Sequence, residues 1–327
     1  MAELGRQVKY GLGRETVFGT AASIATWINQ LSFQLDPVVE YVNNSSAYGT
    51  VVKTNNAQVL RQSAAGNFEC KVTSDRTGYF LLGAFGTVTT TTNPDASNLV
   101  FNHTATISEN IAGQSFTIVR KDALTTKAYT GARIGNFSVS MELGDYIKYS
   151  GDIMSKIGTA TTATPAFTTE TEFTPKYFSV KTATTTAGLP GATKIGTIQS
   201  ATININPNLE IDWESGNPDP YSFSSNGYDL TFEMTLRYNS TVFEDAYLAG
   251  TKLALEISCV NTDVTIGTAA KPGLVFTAPN IHITDWSRSE DMDGPIEQSL
   301  TGTIHYSAAD AYALKAVLTD TKANFTT

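Results

Sequence analysis

The chain has 327 residues, 41% hydrophobic and 16% charged, with a formal net charge of -9. It is long enough for two ordinary domains with sizeable cores, and too apolar and lightly charged for a disordered chain. The acidic balance argues against sequence-specific DNA binding, because such a surface repels phosphate, though it leaves contact with DNA in transit open. No run approaches the roughly 18 apolar residues of a membrane span, and the N-terminus lacks the apolar stretch of a signal peptide. The expectation is a protein made in the cytoplasm and not exported by the general secretion route, with Cys70 and Cys259 as two reduced core cysteines.

In chain order, the first clear element is an alternating strand in which Phe68, Cys70 and Val72 face one way. Ser74-Asp75 then caps a short helix from Arg76 to Phe85, closed by Gly86. A Thr-rich stretch from Thr87 to Asn98 reads as loop. Phe137, Val139, Met141 and Leu143 mark the next strand. The low-complexity stretches Gly158 to Pro175 and Lys181 to Gly191 read as exposed linker, the first as the domain boundary. Beyond it, Ile203 and Ile205, then Leu230, Phe232, Met234 and Leu236, then Leu253, Leu255 and Ile257 give three more alternating strands. Between the last two, Asn239-Ser240 caps a helix from Thr241 to Ala249, closed by Gly250. Ser307 is expected to cap a C-terminal helix from Ala308 to Leu318. Strands that alternate in this way belong to antiparallel sheets with one buried face.

The same order of elements occurs twice. Leu31-Ser-Phe-Gln-Leu-Asp-Pro37 matches Ala201-Thr-Ile-Asn-Ile-Asn-Pro207 at an offset of 170, and Glu40 matches Glu210. Gly66 and Gly227 each open an alternating strand that leads into a capped helix and a Gly-Thr pair. Internal duplication is the better reading, with residues 28 to 155 expected to superpose on 198 to 306.

Catalytic motifs are absent. Gly11-Leu-Gly13 lacks the third glycine of a dinucleotide loop, and neither a phosphate-binding loop nor a Gly-x-Ser-x-Gly elbow occurs. His103, read as lying in a loop, His282 and His305 are too scattered for a metal site. Glu290-Asp291-Met292-Asp293-Gly294 fails as a calcium loop, since counting from Asp291 puts Ile296 and Gly302 where glycine and glutamate are required. Glu244-Asp245 reads as a solvated helix face rather than a glycosidase pair. The Asn-x-Ser/Thr triplets at Asn44, Asn102 and Asn239 are coincidences without export. No catalytic, cofactor-binding or metal residue is expected, and no cofactor.

The phrase Gly13-Arg-Glu-Thr-Val-Phe-Gly-Thr-Ala21, followed by Trp27, resembles the opening of major tail tube proteins of long-tailed, non-contractile bacteriophages. The resemblance implies an all-β fold with a few short helices, here as two tandem tail-tube-type β-sandwich or partial-barrel units. It implies a structural virion protein, not an enzyme, whose rings stack into a tube that conducts DNA, with the sheets joined into a continuous inner barrel. The organisation expected is an N-terminal arm over 1–27, a first unit over 28–157 with a long loop or arm at 43–65, a Thr-rich linker over 158–197 and a second unit over 198–327. The arms, including the tail Asp320 to Thr327, are expected to reach the adjacent ring, and Asn43 to Ala65 to order only on assembly. Two units per chain imply trimeric, pseudo-hexameric rings. Partners implied are further copies, tape measure and tail terminator proteins, DNA in non-specific passage, and no membrane. The location is the phage tail, with assembly in the host cytoplasm. The alternatives are a tail terminator or capsid decoration protein, or a carbohydrate-binding β-sandwich. Singly scattered Trp27, Trp213 and Trp286 count against the last.

Overall fold

The alternating runs are strands, and every pairing among the described residues is antiparallel. The computed structural model describes residues 4–93, 95, 97–290 and 292–325. The first half holds β1 (Lys9–Arg14), β2 (Thr26–Trp27), β3 (Gln30–Asn44), β4 (Asn56–Lys71), α1 (Thr77–Phe85), β5 (Gly86–Thr92), β6 (Phe101–Ile107), β7 (Phe116–Lys121), β8 (Thr126–Glu142), β9 (Lys148–Ser155) and β10 (Thr159–Ala160). The second holds β11 (Phe178–Ala183), β12 (Ile198–Asn206), β13 (Leu209–Asp212), β14 (Ser222–Ser225), β15 (Asp229–Arg237), α2 (Val242–Ala249), β16 (Leu253–Val260), β17 (Gly273–Ser289), β18 (Glu297–Ile304) and β19 (Lys315–Asp320).

The largest sheet runs β3–β4–β9–β8–β12–β15–β18–β17. Only the C-terminal parts of β8 and β17 belong to it. Each of these long strands is irregular in the middle, between Ile134 and Phe137 and between Ile283 and Asp285. Such bulges bend a strand, so one strand can serve two layers. The N-terminal part of β8 lies in a second sheet, β2–β1–β7–β8–β10. That of β17 lies in a third, β11–β16–β17–β19–β6–β5. A separate hairpin pairs β13 with β14.

The core fills the space between these layers, and α1 lies inside it with all nine residues buried. A helix that is apolar all round has nowhere else to go. Gly78 admits the ring of Phe325, and Gly83 admits Phe116 and Ile134. By contrast α2 buries only Phe243 and Ala246. Both helices end on a left-handed glycine, Gly86 and Gly250, as their sequences predict.

Several expectations fail. Ala308 to Leu318 is not a helix: a turn with Ala311 left-handed leads into β19, where Ala316, Leu318 and Asp320 are buried alternately. Helix propensity over this Ala-rich run yields to a vacancy between β17 and β6, where a strand satisfies two ladders at once. Residues 1–27 are not a free arm, because β1 buries Tyr10 and Leu12 against β7; Met1 to Glu3 lie outside the described residues. Gly11 and Gly13 leave room there for Ile24, Trp27 and the Ser23 carbonyl. Of 43–65, only 45–55 lies between strands. The Thr-rich run is β5, and the stretch 158–197 contains β10 and β11. The tail docks through Phe325, with Thr326 and Thr327 outside the described residues.

Candidate assembly site

The main sheet has two unlike faces. One row across it reads Cys70, Tyr149, Val139, Ile203, Phe232, Gly302 and Ile283, each opposite the next, and it faces the core. The adjacent row reads Glu69, Ser150, Ser138, Asn204, Thr231, Thr303 and His282, and it faces away. The outward face carries Asp36, Glu69, Glu142, Asp152, Asp229, Glu233, Asp285 and Glu297 against Lys71, Lys148 and Arg237, so it is polar and net acidic. Lys148 sits between Glu69 and Asp145, at 3.4 and 2.5 Å.

The sheet does not close on itself. Among the described residues, β3 pairs only with β4, and the C-terminal part of β17 only with β18. Each edge exposes a row of unpaired backbone groups, a template for another strand. Neither carries the lysines that commonly guard an edge. Phe33 on one edge and Trp286 on the other pack on the core yet remain half-buried. At the centre, β8 meets β12 in a closed seam, Phe137 opposite Ile205, Val139 opposite Ile203 and Met141 opposite Ala201. All six are buried.

Beyond the sheet, β3 and β4 continue as a two-stranded arm. It exposes Tyr41, Val42, Tyr48, Val51, Val52, Val59 and Leu60. Such a cluster exceeds the scattered apolar residues of an ordinary surface. The arm's base is braced by the loop between β13 and β14: Gln62 donates to the Pro218 carbonyl at 2.8 Å and to Asp219 at 2.7 Å, and Arg61 stacks over Trp213.

The residues weighed for chemistry do not converge. Among the described residues, no group of three or more His, Cys, Asp or Glu could hold a metal. His103 is not in a loop but buried in β6, its Nε2 3.0 Å from Asp320 and its Nδ1 2.8 Å from Thr90. The rings of His282 and His305 are neighbours at 6.5 Å, on the polar side. Glu290 pairs with Arg288, and Asp291 lies outside the described residues. Glu244 accepts from the Tyr238 hydroxyl at 2.6 Å in the first turn of α2. Cys70 and Cys259 are free and buried, and burial pushes both thiols up to about 12.

Sequence reasoning missed three buried polar clasps. Glu15, inside the Gly-Arg-Glu-Thr-Val-Phe-Gly-Thr phrase, accepts from the amides of Gly19 and Gly131 and the hydroxyl of Thr117, all within 2.9 Å. Phe18 covers Gly131, and Gly19 is left-handed. The phrase is thus a folded turn that pins β1 to β7 and β8. Arg76 pairs with Glu170 at 3.1 Å and ties the start of α1 to the stretch before β11, where burial pushes the Glu170 carboxyl up. Arg133, fully buried, donates to the carbonyls of Ala112 and Phe223. The phrase was the only signal in the sequence for any of these, since, Gly19 and Ala112 aside, their partners lie 90 or more residues away.

A half-open all-β shell with one polar face and two bare edges is built to join others like itself. The sequence profile of a family described as phage tail tube protein matches residues 5–308. The chain belongs to the phage tail tube protein family. It is therefore a structural protein of the virion tail that associates with itself into a tube, and it is not an enzyme. Among solved structures it is similar to the tail tube of SPP1, determined by solid-state NMR and cryo-EM, with 13% identity, 47% of this chain and 81% of that chain covered, and a TM-score of 0.34. No curated protein matches. Among the described residues of this tail tube protein, no helix is long and apolar enough to cross a membrane.

Proposed function

We propose that three copies of this chain close a pseudo-sixfold ring, that rings stack head to tail into the tail tube of a long-tailed, non-contractile phage, and that the acidic face of the main sheet lines the lumen through which DNA passes. The observation that carries this reading is the order of pairing. The first four strands of the main sheet, β3–β4–β9–β8, and the last four, β12–β15–β18–β17, occupy the same places in the two halves. The outer layers agree as well: β1–β7–β8–β10 in one half, β11–β16–β17–β19 in the other. In each half a phenylalanine lies opposite a glycine, Phe68 with Gly151 and Phe232 with Gly302. A duplicated unit accounts for all of these. Setting Pro37 on Pro207 puts Phe68 on Phe232, so the sequence match of Gly66 with Gly227 is three residues off this register. On this reading β5–β6 and β13–β14 are insertions.

Three chains of eight main-sheet strands exceed the 16–18 strands that leave an aqueous channel in porins. A net acidic, Ser- and Thr-rich wall repels phosphate and does not grip it, so DNA slides. The rotation from one unit to the next closes the ring, while stacking does not close and makes a filament. The apolar arm reaches the adjacent ring, and its tip over 45–55 orders there. Tape measure and tail terminator proteins are the partners at the lumen and the tube's end, and assembly takes place in the host cytoplasm. Cryo-EM of tubes grown from the purified chain tests this. Three chains per ring with the polar face inward is expected; six whole chains per ring would overturn the trimer.

A further inference from the structure

The seam inside the chain fixes how two chains meet. Given the ring reading above, on which this rests, we infer that the C-terminal part of β17 pairs antiparallel with β3 of the next chain in the register of the β8–β12 seam. That places Trp286 opposite Phe33, Ser287 opposite Ser32 and Asp285 opposite Gln34.

The register follows from internal landmarks. Phe137 lies opposite Gly151 and Val139 opposite Tyr149, two residues further back along β9. Ile283 lies opposite Gly302 and Trp286 opposite Leu300, two residues further back along β18. Trp286 therefore holds the place of Val139, with the bulge at Thr284 absorbing the extra residue. On the other edge Phe33 faces Phe68 as Ile203 faces Phe232. Both strands are irregular just before this point, between Gln30 and Ser32 and between Ile198 and Ser200. Phe33 therefore holds the place of Ile203. Val139 lies opposite Ile203 at the seam, so Trp286 lies opposite Phe33 at the ring joint.

The chemistry agrees. Both aromatic residues face the core side and are half-buried, each wanting a neighbour that its counterpart at the seam already has. An aromatic cross-strand pair is among the stronger contacts in a sheet. No pair in this register sets like charges opposite each other: Asp285 meets Gln34 and Arg288 meets Leu31. A slip of one residue would turn Trp286 to the lumen, which the two-residue period of a strand forbids. A slip of two keeps the faces but breaks the Trp286–Phe33 pair, and this is the competing arrangement.

The test is a cross-link in assembled tubes. In one chain Ser32 and Ser287 lie at opposite edges of the eight-stranded sheet, roughly 30 Å apart at the usual strand spacing, so they cannot bridge internally. The double variant Ser32→Cys, Ser287→Cys is assembled, checked for tubes by electron microscopy and oxidised. A closed covalent ring of three chains should then appear on a non-reducing gel. Ser140→Cys with Thr202→Cys, opposite each other at the seam, is the control that the geometry permits a disulfide. Ser32→Cys with Asp285→Cys, and Gln34→Cys with Ser287→Cys, report the two-residue slips. Tubes in which a slipped pair cross-links instead would overturn the register and leave the ring reading standing. Tubes in which only the seam control cross-links would overturn the joint itself. A closed ring of six chains would keep the register and overturn the trimer. A native chain that never forms tubes would remove the reading on which the joint rests.

Discussion

The seam between β8 and β12 is a closed strand joint, whereas the edges at β3 and β17 are open. At the seam, Val139 and Ile203 are sealed to 1% and 2% exposure. At the edges, Phe33 and Trp286, which take the corresponding places on the duplicated-unit reading proposed above, are left half-buried. Val139 and Ile203 are aliphatic and small enough for a permanent core, whereas Phe33 and Trp286 are aromatic. A large ring gains contact area when a partner arrives and already packs on the core when none is there. The difference teaches how one fold can be finished inside the chain and unfinished at its borders.

The largest effect comes from weakening each side in turn. Ile203→Ala removes buried methyl groups from the seam and should cost the isolated chain about 2–5 kcal/mol in urea unfolding. Phe33→Ala should cost the isolated chain less than half as much and yet abolish tubes by electron microscopy. If both variants destabilised the isolated chain equally, the edges would not be unfinished, and the contrast would collapse.

A smaller effect sharpens the likeness of the two halves. Gly151 and Gly302 lie under the rings of Phe68 and Phe232, and a Cβ at either would strike that ring and a neighbouring carbonyl, of Asn136 or of His282. Gly151→Ala and Gly302→Ala should each cost about 1–3 kcal/mol by overpacking, to a similar degree. A large loss at one and none at the other, read by thermal melting, would count against equivalent sites.

Much of this was legible in the sequence, and what was not has a common cause. Runs such as Leu230 to Leu236 announce a strand because one face is buried along their whole length. The helices α1 and α2 announced themselves by their glycine stops, Gly86 and Gly250, whereas the expected caps at Ser74-Asp75 and Asn239-Ser240 give way to Arg76 and Thr241, neither of which makes a side-chain cap bond. The missed strands are those whose identity lies in the partner. The strand β19 has helix-forming residues but sits between two ladders, and β1 carries two glycines where another segment crosses it. The run Gly86–Thr92 looked like loop by composition, although Thr suits a pleated surface. The open edges were foreseen only in kind, because which strand lies at a border is a property of topology and leaves no mark in a short run of residues.

The halves also meet at a second, polar seam, and it supplies the mildest prediction. Asp95, between β5 and β6, accepts from the Ser97 hydroxyl at 2.6 Å and from the amides of Thr268, Ala269 and Ala270 at 2.8 to 3.0 Å, in the loop before β17. The Ser97 hydroxyl first, and these amides with it, hold the carboxyl well below its ordinary value of 3.8. A depressed carboxyl stabilises the fold in full above its unfolded value, and the contribution is lost as pH falls through the folded one. The clasp should therefore be whole at pH 6 and loosen below about pH 4, while the apolar pair Val139 and Ile203 at the seam, neither of which titrates, should not respond. Protection factors from hydrogen exchange at Thr268 to Ala270 should fall between pH 6 and pH 3, and those at Val139 and Ile203 should hold. Asp95→Asn has no proton to gain, so it should lower protection at Thr268 to Ala270 at pH 6 and flatten its dependence on pH. An equal fall in the native chain and in this variant would assign the loosening to some other acid.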